Sequence, residues 1–261
     1  MNRFFTNSIR YAKYARRSAF AELKSEVTDS YLNWLWWVIE PTCFCLIYTF
    51  VFTVVFKNKT PYYPAFVFLG QTMWDFFNRM SSGSVNLIKN NRDLVTKVYI
   101  PKYVLLTAKS ITYLIKMFIS LGITVVLIIV LRVPPTRNIL YFIPILLILY
   151  MFCYGVGLIL MNYGVILSDL SNLVTILLRM IYFLTGVFYN ISERLGPGLI
   201  RYLLLRVNPI AFLMDGARKA LLWGETPSLV GMAFWGVISI ALCAIGVHLI
   251  HKNENSYAKV I

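Results

Sequence analysis

Few residues in this 261-residue chain could do chemistry, and most of them lie inside apolar runs. No GxxxxGK[ST] loop occurs, so no segment offers the glycine-rich cradle of backbone amides that holds ATP phosphates. HExxH is absent, GxSxG has no plausible partners, and no pair of carboxylates shares a loop, which argues against a hydrolase or a metalloenzyme. His248 and His251 share a helix face at i, i+3 and are expected to mark where a last span meets water. Cys43, Cys45, Cys153 and Cys243 fall in apolar runs without a CxxC pair and read as small buried hydrophobes. What remains is a set of ionisable side chains within apolar stretches: Glu40, Asp75, Lys109, Lys116 and Arg179. Each is costly in lipid unless paired or facing a cavity, which is the chemistry of an ion-coupled transporter. The alternative is that Glu40, Lys109 and Lys116 sit close to the inner surface, where lysines snorkel and Glu40 pairs with a base. A coupled transporter commonly shows broken spans in matching halves, and no such duplication is visible.

Two further features could serve transport. Aromatic residues make up 16% of the chain and cluster in three of its apolar stretches, including Tyr48, Phe52, Trp74, Phe77, Tyr182, Phe188 and Tyr189. Their ring faces suit sugar rings or acyl chains, and equally suit lipid contact and interfacial belts. The run Asn90 to Lys102 reads as a short inner-face helix stopped before Pro101. Charged Arg92, Asp93 and Lys97 occupy one edge and Leu94, Val95 and Val98 the other, a pattern suited to docking in a groove on a partner protein.

These residues need a membrane scaffold to position them. Hydrophobic residues are 59% of the chain, charged residues 14%, and the mean hydropathy is +0.68, well outside the range of soluble domains. Several runs approach the roughly 20 apolar residues that a bilayer span requires. The expected architecture is all-α and polytopic, a single domain over 1–261 with six transmembrane helices at 35–56, 62–77, 103–131, 140–167, 173–189 and 229–250. Residues 1–30, with Phe5, Ile9, Ala12, Ala19, Phe20 and Leu23 on one face, predict an amphipathic helix along the inner surface. Residues 190–228 mix arginines with dense apolar residues, so amphipathic helices half sunk in the membrane are expected there, broken near Gly196–Gly198 and at Pro209.

The net charge of +14 is read as topology rather than nucleic-acid binding. With both termini inside, inner segments hold 13 Lys and Arg and outer segments nine, five of these in the basic 190–228 stretch. Both termini are therefore expected to be cytoplasmic.

The chain resembles the permease subunits of ABC-2-type transporters that export polysaccharide, O-antigen, capsule or teichoic acid. The likeness rests on the entry to the first span from Tyr31 to Pro41, the segment Leu94 to Pro101, the exit Leu184 to Tyr189, and Arg206-Val207-Asn208-Pro209-Ile210. The resemblance implies a channel between two copies of the chain, carrying an undecaprenyl-type lipid-linked glycopolymer across a bacterial cytoplasmic membrane. It implies two copies of a separate nucleotide-binding subunit that holds ATP and Mg, with no cofactor and no catalytic residue in this chain. By position, Arg92, Asp93, Leu94, Lys97 and Tyr99 would belong to the ATPase-coupling helix at 90–99. Residues 191–206 would form re-entrant gate helices on the outer side, with Arg194, Arg201 and Arg206 near anionic polymer, lipid pyrophosphate or lipid head groups. The chain's ending and the Leu184–Tyr189 stretch look slightly closer to wall teichoic acid exporters. An ion-coupled secondary transporter and an ABC-2 drug or lipid exporter remain the alternatives.

Overall fold

In lipid, backbone N–H and C=O groups find partners only within a helix or a closed barrel, and the regular elements described for this chain are helices. The computed structural model describes residues 2–28, 33–57, 60–97, 100–194, 196 and 198–260, among which no strand occurs. In chain order, α1 is Asn2–Thr28 and α2 is Trp36–Phe50, continued by a π-helical turn at Val51–Val55. Then come α3 (Tyr63–Val85), the short α4 (Leu87–Asn90) and α5 (Arg92–Lys97), and the long α6 (Tyr103–Val130). A 3-10 turn at Arg137–Tyr141 leads into α7 (Phe142–Ile166), followed by α8 (Leu170–Leu184). The remainder is α9 (Ile191–Arg194), α10 (Leu199–Tyr202, extended by a π-helical turn to Val207), α11 (Pro209–Arg218, extended likewise to Trp223) and α12 (Leu229–Val260). Among the described residues, four helical stretches are long and apolar enough to cross a bilayer: Trp36–Val55, Tyr103–Val130, Arg137–Ile166 and Leu229–Glu254.

The core forms around α3, which packs on α6, α7, α8 and α11. This helix does not end near Phe77, as hydropathy suggests, but runs on to Val85. Its last turns look polar in sequence, yet Ser81 and Ser84 are buried, and the Ser84 hydroxyl donates back to the Ser81 carbonyl at 2.9 Å. Small side chains here let the neighbouring helix close in. A Cβ at Gly164 of α7 would lie 1.9 Å from the Val85 carbonyl oxygen, so the base of α4 is clamped directly against the end of α7.

The longest interface runs between α7 and α12. Gly155 and Gly246 permit it: a Cβ on the first would lie 2.8 Å from the Cys243 amide nitrogen, and one on the second 2.6 Å from Leu158 Cβ. The same packing carries α12 past the expected end at 250. The Tyr257 hydroxyl, wholly enclosed, donates to Asn162 Oδ1 at 2.7 Å, and Asn253 Nδ2 donates to the same oxygen at 2.8 Å. His251 therefore sits within the helix, its ring edge-on to Tyr103 and Nδ1 3.8 Å from Glu254. Of the cysteines, Cys45 and Cys153 are buried, whereas Cys43 is exposed on α2, most of whose apolar surface faces away from the rest of the chain.

Helix α1 lies along α6. Its buried stripe is Ala15, Ala19 and Leu23, while Ala12 and Phe20 point outward, so the packed face is rotated from the one suggested by the larger apolar residues. Small residues win because they allow close approach of the two backbones. Phe5 and Ile9 lie where side chains are outside the description. Two ion pairs fasten the helices, Glu22 to Lys109 and Glu26 to Lys116, and the Lys116 ammonium also lies 5.5 Å from the Trp37 ring centroid. The lysines placed inside the third span are thus neutralised by the interface helix.

Two consequences can be checked on purified protein. Gly164→Ala is expected to destabilise by about 2 kcal/mol and lower the thermal midpoint by about 4–8 °C. Gly122→Ala, where nothing lies within 4 Å of a new Cβ, should leave the midpoint unchanged or raise it slightly. Charge reversal Glu22→Lys should reduce the monodisperse yield, and adding Lys109→Glu should restore most of it.

Candidate functional site

At one end of the bundle, α4 and α5 stand on a rigid seat. Leu87 and Ile88 are buried against the core, as are Ile100, Pro101, Lys102 and Tyr103 where the chain re-enters α6. Lys102 Nζ donates to the Ile100 carbonyl at 3.3 Å. Burial pulls its pKa below the ordinary lysine value, while the Glu254 carboxylate from α12 opposes that shift. On this seat α5 turns Val95 inward, holds Leu94 half-buried, and presents Arg92, Asp93, Thr96 and Lys97 outward. The Asp93–Lys97 pair spans 4.0 Å with both side chains almost fully exposed, so it contributes little to stability and leaves both charges available to a partner. Tyr99 and Val98 lie outside the described residues.

In mid-bundle six of the singled-out aromatics form one chain of ring contacts. Phe188 meets Tyr48 at 4.3 Å between centroids, Phe52 at 5.5 Å in a stacked arrangement and Tyr182 at 5.4 Å edge-on. Tyr182 in turn meets Trp74 at 5.2 Å, and Trp74 meets Phe77 at 5.5 Å. Trp74, Phe77 and Phe188 are buried within a single copy of the chain, whereas Tyr48, Phe52 and Tyr182 keep part of their surface open. Tyr189 stands apart, its hydroxyl donating to the Phe183 carbonyl at 2.8 Å. The chain of rings continues through Phe152 to Trp235, two residues that sequence patterning did not single out.

A polar thread runs beside the rings. The Tyr182 hydroxyl donates to Gln71 Oε1 at 2.7 Å, and Gln71 Nε2 donates to Asp75 at 2.8 Å. Asp75 borders a cavity of about 470 Å³ between α1, α2, α3 and α6, shared with Glu26, Glu40, Arg79 and Lys116. Arg179 is exposed on α8 and does not line this cavity. The structure therefore gathers Glu40, Asp75 and Lys116 and leaves Lys109 with Glu22.

At the opposite end, the chain after α8 turns sharply at Gly186, whose φ of +70° lies in the left-handed region that favours glycine. Asn208 caps α11, accepting from the Ile210 and Ala211 amides at 3.1 and 3.2 Å and donating to Thr185 Oγ1 at 3.1 Å. Arg218 at the other end of α11 is buried. Its guanidinium donates to the carbonyls of Phe66, Gly186 and Val187 at 2.8–3.3 Å and lies 3.5 Å from the Phe66 ring centroid. In sequence it is one of several basic residues in the 190–228 stretch and nothing local sets it apart; in the structure Asp215, three residues before it, pairs with Lys219 at 2.8 Å. The stretch 191–206 contains two short helices, α9 and α10. Arg194 and Arg206 are exposed and Arg201 half-buried; Arg201 and Arg206 share a cavity of about 540 Å³ that Arg194 does not line.

Comparison with known proteins places this arrangement. Residues 18–222 match the membrane-protein family described as ABC-2 type transporter. The chain is 30% identical over 240 residues to the O-antigen export system permease protein RfbA of Myxococcus xanthus, covering 92% of each chain. It is 22% identical to RfbA of Klebsiella pneumoniae over 92% of each. It is 21% identical to the polysialic acid transport protein KpsM of Escherichia coli, covering 90% of this chain and 91% of that one. With a family match from within α1 to the turn that extends α11, and a relative aligned over nearly its whole length, this chain belongs to the ABC-2 type transporter family.

Proposed function

We propose that this chain is the channel-forming permease of an ATP-driven exporter that moves a lipid-linked cell-envelope polysaccharide out across the bacterial cytoplasmic membrane. The observation that carries this reading is the alignment of 92% of the chain with an O-antigen export permease. Two copies would enclose the path and two copies of a separate ATPase would hold ATP and Mg. O-antigen-type polysaccharide is favoured over wall teichoic acid, since the relatives named above export O-antigen or transport polysialic acid. In this reading α3 and α8 complete six spans with the four longest apolar helices. Cytoplasmic termini are supported by the gathering of α1, α4–α5 and the end of α12 at one end of the bundle.

The geometry supports a division of labour. The exposed charges of α5 meet the ATPase, and the buried seat at residues 100–103 passes its displacement to α6 and, through Tyr103 and His251, to α12. Tyr48, Phe52, Tyr182 and Tyr189 retain open ring surface and are the aromatics best placed to face the polymer, with Trp74, Phe77 and Phe188 holding them in position. Arg194, Arg201 and Arg206 border the exit.

Purification of the tagged chain from its host in mild detergent should recover a stoichiometric P-loop ATPase, identified by mass spectrometry. Recovery of a stable chain with no ATPase would instead favour ion coupling through the Asp75 cavity, for which Asp75→Asn should abolish transport. The double variant Asp93→Ala/Lys97→Ala should cut export at least tenfold while the complex retains ATP hydrolysis; normal export by it would show that α5 is not the coupling element.

A further inference from the structure

A further cavity, of about 660 Å³, opens at the end of the bundle away from α1 and α5, and of its lining residues only Arg201 has a part in the transport reading. Three separate connections build it: the turn before α3, the loop between α6 and α7, and the re-entrant segment from Asn190 to Glu225. Its walls carry two partly open aromatic rings, Tyr62 and Trp223, beside the planar polar groups of Asn190, Glu193, Arg201 and Glu225. Asp215 and Lys219 also border it but occupy one another at 2.8 Å, which leaves, among the described residues that line it, two carboxylates against one guanidinium.

The walls are held in place. Tyr62 adopts φ +55° and ψ +37°, a left-handed conformation that a tyrosine rarely takes, at the start of α3. Thr60 donates to Glu193 Oε2 at 3.1 Å, tying the first wall to the third. Glu225 follows Gly224, which has φ +66° and could not carry a Cβ without meeting Thr136 Cγ2 at 2.6 Å; this ties the third wall to the second. The Glu225 amide donates to the Lys219 carbonyl at 2.9 Å.

From this juxtaposition we infer that the cavity is a subsite for a neutral, hydroxyl-rich sugar residue of the emerging polymer, an inference that rests on the polysaccharide-export reading. A sugar presents a C–H face that packs on an aromatic ring and a rim of hydroxyls that carboxylates, amides and guanidinium groups bind in pairs. A surplus of carboxylates repels a polyanion such as a sialic acid or phosphodiester chain. Weak occupancy of such a subsite, repeated along a polymer of identical units, would resist backsliding between ATP cycles through effective concentration rather than tight binding.

The test uses the permease with its ATPase in lipid nanodiscs and saturation-transfer NMR. The probes are oligosaccharides released by mild acid from the host's own surface polysaccharide, with α-2,8-linked trisialic acid as the anionic comparison. The fragments should bind with a Kd of about 1 mM. Glu193→Gln and Trp223→Phe should each weaken binding at least fivefold, and trisialic acid should give no transfer. Absence of fragment binding to the wild-type complex, or unchanged binding in both variants, overturns the subsite. Tighter binding of trisialic acid, or binding fragments that prove to be polyanionic, overturns its neutral-sugar assignment. Deleting the gene separates the two levels: unchanged surface polysaccharide defeats the export reading itself, whereas its loss without fragment binding defeats only the subsite.

Discussion

Arg218 is the point on which the half of the molecule around α11 depends. A guanidinium enclosed to 4% exposure would carry a heavy desolvation cost if it were unpartnered, and here three carbonyl oxygens and the face of Phe66 replace its water. Those carbonyls belong to α3 and to the turn after α8, while the arginine belongs to α11, so a single side chain ties three elements together. Phe188 follows one of the bonded carbonyls directly, which sets the register of the aromatic chain against α2. Gly70 completes the fit: a Cβ there would lie 2.3 Å from the arginine's terminal nitrogen.

The half around α1 obeys the same constraint by different means. Lys109 and Lys116 are too deep to be left to lipid, and glutamates from the interface helix neutralise them. This makes α1 part of the packed structure rather than a loose membrane-surface helix. Close contact at Gly164 and the Asn162–Asn253–Tyr257 cluster then join the root of α4 and the end of α12 to one helix, α7. A push on α5 therefore has a stiff path into the bundle.

Much of this was legible in the sequence, for identifiable reasons. Long apolar runs announce bilayer spans because the cost of exposing peptide groups to lipid leaves few alternatives, and α2, α6, α7 and α12 follow from hydropathy alone. The last turns of α3 were not legible, since Ser81, Gly83 and Ser84 score as polar while serving as close-packing residues. The α1 stripe is legible in part: Ala19 and Leu23 lie on the expected face, whereas Phe20 points outward and Ala15 takes its place, because a small side chain lets the two backbones approach. Arg218 was invisible as a keystone: its partners are backbone carbonyls 31 to 152 residues away, and no local pattern announces such bonds. The cavity beside Tyr62 and Trp223 escaped for the same reason, being assembled from three connections.

The most direct test of the central claim is translocation in proteoliposomes that hold this chain, its ATPase partner and the host's lipid-linked polysaccharide on the outer, ATP-accessible leaflet. Transfer of polymer to the lumen that requires ATP, and that stops when the ATPase is omitted, is the predicted result. Polymer movement driven by a proton or sodium gradient without ATP would contradict it, as would ATP hydrolysis by a fully assembled complex that moves no polysaccharide.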